Sequence, residues 1–165
     1  MSKVYVLYSR QHVPASLDAV WTFFSDANNL LAVTPPGLNL KVTNEVYGKT
    51  VYAGQVMTYT VKPLLGIPLA WMTEITHVVE KKYFVDEQRK GPYTLWHHQH
   101  HFNAVDGGVE MTDLVHYRLP FGPLGSLVHS LVVKKELEKI FTYRYQKIVE
   151  LFGGWKGERM EILIQ

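Results

Sequence analysis

The stretch from residue 124 to residue 152 constrains the fold more than any other part of this chain. It holds no proline and no glycine beyond Gly125, and Leu127, Leu131, Leu137, Phe141, Ile148 and Phe152 recur at helical spacing as one broad stripe. Gly153-Gly154 stops it. At 1.5 Å per residue such a helix is roughly 40 Å long, longer than a sheet is thick.

Strand patterns fill most of the chain before it. Residues 4–12 alternate bulky apolar and polar side chains, rich in Val and Tyr. Pro14-Ala15-Ser16 switches the pattern: Ser16 suits an N-cap, Asp18 the first turn, and Val20, Phe23 and Phe24 a helical face. Asp26 can cap a second short helix through Leu31, which Pro35-Pro36-Gly37 ends. Six further strands are read at residues 38–47, 55–62, 69–79, 83–89, 94–105 and 109–119. Residues 63–68 interrupt the second and third, and Asp106-Gly107-Gly108 is a hairpin signal. Runs of strands followed by one long helix indicate an α+β domain, not alternating βαβ units. The expectation is a seven-stranded antiparallel sheet curled around the long C-terminal helix, with two short helices after the first strand. One domain covers residues 1–154 and a tail covers residues 155–165.

Composition removes several function classes. A formal net charge of +2, from 17 basic and 15 acidic residues, supplies no concentrated positive field for nucleic acid. The absence of cysteine excludes disulfides and thiolate chemistry. No apolar run approaches the roughly 20 residues of a membrane span, and no signal core follows Met1-Ser2-Lys3, so a cytoplasmic location without membrane insertion is expected. Aromatics are abundant at 13%, and large rings fill wide interiors or line pockets.

Chemistry concentrates in Trp96-His97-His98-Gln99-His100-His101-Phe102. Alternate residues of a strand share a face, so Trp96, His98, His100 and Phe102 point one way. A two-residue turn at Asp106-Gly107 sets Phe102 opposite Met111, His100 opposite Asp113, His98 opposite Val115 and Trp96 opposite Tyr117. The apolar partners mark this face as the inner one, which turns His98, His100 and Asp113 inward, where polar groups need partners. They can be a structural hydrogen-bonded pair, the polar groups of a ligand pocket, or a zinc site. No second cluster supports the metal, so neither a metal nor another cofactor is expected. The preceding strands repeat the theme, with Phe84, Asp86 and Gln88 on one face and Trp71, Thr73 and Ile75 on another, both read as inward. More inward polar atoms than a solid core tolerates point to a cavity. His97, His101 and His116 fall on the outer face with Gln99 and Glu110. There is no nucleophile elbow and no phosphate loop.

Several segments resemble the SRPBCC superfamily, the START, polyketide cyclase/dehydrase and birch-pollen-allergen-like helix-grip proteins. They are Val13-Pro14-Ala15 before Val20-Trp21, Trp71 with Glu74-Ile75-Thr76, and Phe84-Val85-Asp86-Glu87-Gln88. Gly91-Pro92-Tyr93, the alternating Trp96, His98, His100 and Phe102, and Asp113 with Tyr117 and Pro120-Phe121-Gly122 complete them. The likeness spans about residues 3–152 and is closest to a bacterial ligand-binding, cyclase-like branch. It implies a helix-grip fold and a small hydrophobic or amphipathic ligand, such as a lipid, polyketide or isoprenoid. The ligand-binding residues expected are Trp71, Asp86, Gln88, Trp96, His98, His100, Asp113 and Tyr117. The chain is read as a non-enzymatic binding protein, monomeric or weakly dimeric. The alternatives are a cyclase, dehydratase or hydrolase using His98, His100 and Asp113, and a regulatory or chaperone-like interaction module.

The tail ends in Ile162-Leu163-Ile164. Ordering its last eight residues costs about 8–16 kcal/mol, against on the order of 5 kcal/mol from burying three aliphatic side chains. A frayed end is the default expectation, and backbone pairing at a sheet edge or a partner chain is the alternative.

Overall fold

The computed structural model describes residues 3–44, 50–62, 67–158 and 160–165. Eight strands form one antiparallel sheet: β1 (Tyr5–Val13), β2 (Lys41–Val42), β3 (Gln55–Val61), β4 (Leu69–Val79), β5 (Tyr83–Lys90), β6 (Leu95–Val105), β7 (Gly108–Arg118) and β8 (Glu161–Ile164). Their spatial order is β2-β3-β4-β5-β6-β7-β1-β8. Between β1 and β2 lie the helix α1 (Leu17–Phe24) and two 3-10 helices, Ala27–Val33 and Pro36–Leu38. A helical run after β7 comprises α2 (Gly122–Val128), a π-helical segment (His129–Val133) and α3 (Lys134–Phe152). No helix among the described residues is long and apolar enough to cross a membrane.

Local chemistry explains most boundaries. Ser16 Oγ accepts from the Ala19 amide at 3.2 Å and starts α1, while Asp26 Oδ1 accepts from the Asn28 amide at 2.9 Å. Gly107, at φ +87°, makes the tight turn of the β6–β7 hairpin, which pairs Val105 with Gly108 and runs in register to Leu95 and Arg118. Trp96–Tyr117, His98–Val115, His100–Asp113 and Phe102–Met111 face each other as the alternation requires.

Four expectations are corrected. The sheet has eight strands, not seven, because the tail pairs with β1 from Leu7–Ile164 to Arg10–Glu161. Gln165 extends the ladder, with its amide donating to Val6 O at 3.0 Å and its carbonyl accepting from the Val6 amide at 3.1 Å. The expected strand at 38–47 is confined to Lys41–Val42, and residues 45–47 lie outside the described set, as do 63–66 of the interruption. The second short helix is of 3-10 type. Finally, the stripe of the long helix is broken: Leu137, Phe141 and Ile148 are buried, but Leu127 and Leu131 are exposed while His129 and Val133 are buried. A π turn inserts a residue into the helical repeat and rotates the buried face.

The core has two parts. Trp21, Phe24, Phe84, Phe102 and Ile148 centre one, under α1. Tyr5, Leu7, Val115, Tyr117 and Phe141 centre the other, against which Met160, Ile162 and Ile164 of the tail pack. Gly108 is required where these strands meet, because a Cβ there would lie 2.1 Å from Val13 O. Gly108→Ala is expected to cost about 1–3 kcal/mol through overpacking, read as a lower urea midpoint at unchanged slope.

Candidate functional site

Three adjacent strands and α3 bring five polar side chains to one place on the concave face. On β5, Asp86 lies opposite His98 of β6, and His100 of β6 lies opposite Asp113 of β7. The two-residue spacing brings the imidazoles together, with ring centroids 3.7 Å apart and planes tilted by 38°. Asp86 Oδ2 is 3.3 Å from His98 Nδ1 and 2.9 Å from His100 Nε2. Asp113 Oδ1 is 3.1 Å from His98 Nε2 and 2.9 Å from His100 Nδ1. Each imidazole therefore spans the two carboxylates. From α3, Arg144 Nη2 reaches to 3.4 Å from Asp113 Oδ1 and 3.3 Å from His100 Nδ1. The guanidinium also lies over the Phe24 ring, 5.4 Å from its centroid.

Electrostatics divides the two histidines. Burial opposes charge on His100, but its hydrogen bonds to Asp113 and Asp86 outweigh this and raise its pKa. Burial and then the neighbouring His100 hold His98 below the usual histidine value. Burial would push Asp113 up, yet Arg144 and the two histidines hold it well below the ordinary carboxylate range. Asp86 is likewise lowered against burial, chiefly by His98 and His100. The surroundings therefore favour the charged form of His100, Asp86 and Asp113 and oppose it at His98.

A cavity of ≈ 250 Å³ lies between the sheet and α3. Its walls are mostly apolar, with Phe24, Leu30, Met57 and Phe141 among them, and Asp86, His98, His100 and Arg144 at one side. Of the residues expected from sequence, Trp71, Asp86, Trp96, His98 and His100 line it. Asp113 stands behind the histidines. Gln88 is engaged elsewhere: its Nε2 donates to Tyr93 O at 2.7 Å, and its Oε1 accepts from the Tyr93 amide at 3.3 Å. Tyr117 Oη lies 2.8 Å from His129 Nε2, away from the cavity wall. On the outer face His97, Gln99 and His101 are half-buried in a side-to-side chain anchored on Glu87, 3.0 Å from His97 Nδ1.

Arg144 and Tyr59 line the cavity without having been singled out from the sequence. Arg144 carried a readable signal, since it falls three residues after Phe141 and four before Ile148, on the buried stripe. Asp86, His98 and His100 also place one donor atom each within 4.8 Å of one another, a grouping able to hold a metal ion.

Sequence comparison finds no matching protein-family model and no matching curated protein. Solved structures do match. Protein Ms6760 from Mycobacterium smegmatis is 18% identical, over 88% of this chain and 92% of its own, with a TM-score of 0.62. Ara h 8.0201 is 16% identical, over 90% and 99%, with a TM-score of 0.62. The ginseng major latex-like protein 151 from Panax ginseng is 11% identical, over 90% and 97%, with a TM-score of 0.64. At these identities the likeness is one of fold. This chain shares with them a helix-grip fold, an antiparallel sheet curled around a long C-terminal helix.

Proposed function

We propose that the protein binds one small, largely apolar molecule between the sheet and α3, with the ligand's polar end toward the Asp86, His100 and Arg144 corner. The observation that carries this reading is the cavity itself: mostly apolar walls with a buried cluster of ionisable side chains at one side, the usual build of a small-molecule site. Its ≈ 250 Å³ sits at the small end of such sites, which favours a compact ligand over a long lipid or a dinucleotide.

Trp71 and Trp96 meet edge to face in the wall, 5.5 Å between centroids, so ligand entry is expected to change tryptophan emission. Trp96→Ala is expected to weaken uptake of an apolar fluorescent probe roughly tenfold, on the scale of about 1–3 kcal/mol for lost apolar contact. Equal uptake by wild type and variant, together with a native mass spectrum showing no retained molecule, would refute the reading. A second reading, acid–base catalysis on an apolar substrate, is favoured by one observation: His100 lines the cavity between two carboxylates, 2.9 Å from each, which raise its pKa. It requires a retained molecule to be converted on incubation, with a rate that follows the His100 titration.

A further inference from the structure

We infer that Asp86, His98 and His100 form a site for one divalent transition-metal ion, with Asp113 as the outer carboxylate that aims both imidazoles. The inference does not depend on what the cavity holds. Donor atoms bound to zinc at 2.0–2.2 Å and separated by right to tetrahedral angles lie roughly 2.9–3.5 Å apart. Asp86 Oδ2 is 2.9 Å from His100 Nε2 and 3.3 Å from His98 Nδ1, both within that range, and all three donor atoms lie within 4.8 Å of one another.

The far side of each ring makes the stronger case. A ligating histidine donates its other N–H to a carboxylate or carbonyl, which sets its tautomer and orientation. Here one oxygen, Asp113 Oδ1, stands 3.1 Å from His98 Nε2 and 2.9 Å from His100 Nδ1, the two nitrogens that would not touch the metal. A structural His–Asp pair needs one carboxylate, whereas this arrangement has one on each side of both rings. Arg144 contacts Asp113 and the Nδ1 edge of His100, so its charge is set against Asp113 rather than at the donor atoms. The four side chains descend from paired strands, so the geometry is held by backbone register.

Asp86, His98 and His100 all line the cavity, which leaves further coordination positions facing it. Two imidazole nitrogens and one carboxylate, with no thiolate in the chain, suit zinc, cobalt, nickel, copper or ferrous iron over magnesium or calcium. A metal-bound imidazole carries no proton on its donor nitrogen, so uptake weakens in acid. The expectation of no metal, drawn from sequence, rested on the lack of a second cluster. Asp86 supplies it from the neighbouring strand.

Chelator-stripped protein titrated with zinc or cobalt(II) alone at pH 7.5 is expected to take up one ion per chain, with visible cobalt absorption. Asp86→Asn and His98→Gln should each weaken binding roughly tenfold or more, and Asp113→Asn, which removes no donor, by about 10–100-fold. Should a variant fail to fold, the wild-type imidazole nitrogen resonances decide: zinc should shift those of His98 and His100 and leave His12 and His97 in place. No stoichiometric uptake by wild type, uptake indifferent to Asp86→Asn and His98→Gln, or shifts confined to the outer histidines would overturn the site.

Discussion

Asp113→Asn is expected to destabilise the metal-free protein by about 3–5 kcal/mol at neutral pH, the cost of breaking a buried ion pair from one side. Asp113 Oδ1 lies 3.1 Å from His98 Nε2, 2.9 Å from His100 Nδ1 and 3.4 Å from Arg144 Nη2, with its side chain only 7% exposed. Asparagine keeps the shape but removes the carboxylate beside both His100 Nδ1 and Arg144, leaving Asp86 on the far side of the ring as the cluster's remaining anion. The pH dependence follows in sign. Because the folded Asp113 pKa is depressed below 3.8, its stabilisation is complete above that pH and is lost as pH falls further toward the folded value. His100 runs the other way: its raised pKa gives stability that is full below pH 6.5 and fades as pH rises through the folded value. Urea midpoints of wild type and Asp113→Asn should therefore differ widely at pH 7 and draw together in strong acid. A gap under about 1 kcal/mol at pH 7 would mean that the cluster is not charged in this way.

Truncation after Lys156 has the second largest expected effect. The removed segment carries β8, the Arg10–Glu161 ion pair at 2.6 Å, and Glu158, whose Oε1 accepts from the His12 amide at 2.8 Å. Lys134 Nζ also donates to Ile164 O at 3.2 Å, tying the tail to the start of α3. A loss of about 3 kcal/mol, or roughly 6–12 °C in Tm for a chain of this size, is expected. The stripped β1 would present an open edge and drive association that grows with protein concentration. Point variants separate packing from pairing. Ile162→Asp, on the packed side, should reproduce most of the loss, whereas Leu163→Asp, exposed at 49%, should be nearly neutral. Unchanged melting on truncation would mean that the strand is not docked in solution.

What was legible in the sequence follows from the reach of each local rule. The β6–β7 register could be read residue by residue because a two-residue turn and a side-chain period of two leave one pairing for an inward Trp, Phe and Met. The same rule turned Asp86 inward but could not pair it with His98, because β5 and β6 are joined through Gly91–Thr94, which is no tight hairpin turn. Alternation assigns a face, not a neighbour, so it could not tell that Gln88 fastens a loop or that Tyr117 meets His129. Arg144 was hidden by its type: a long cation on an apolar stripe reads as a side chain that snorkels outward. The tail shows the limit of counting side chains alone. Ile162 and Ile164 could not hold it by burial, and the backbone ladder to β1 supplies the difference.

The placement of β1 between β7 and β8 also sets the order in which the nascent chain can close. β1 is synthesised before any other strand, yet its first partner begins at Gly108 and its second at Glu161. At 5–20 residues per second on the ribosome, an apolar strand with Leu7 and Val13 bound for the core waits about 5–20 s for its first neighbour. Arrest before residue 108 leaves both sides of it bare, and arrest before 161 leaves one. Its hydrogen-bond ladders join residues 96 (Val13–Val109) to 157 (Leu7–Ile164) positions apart, a topology that folds slowly.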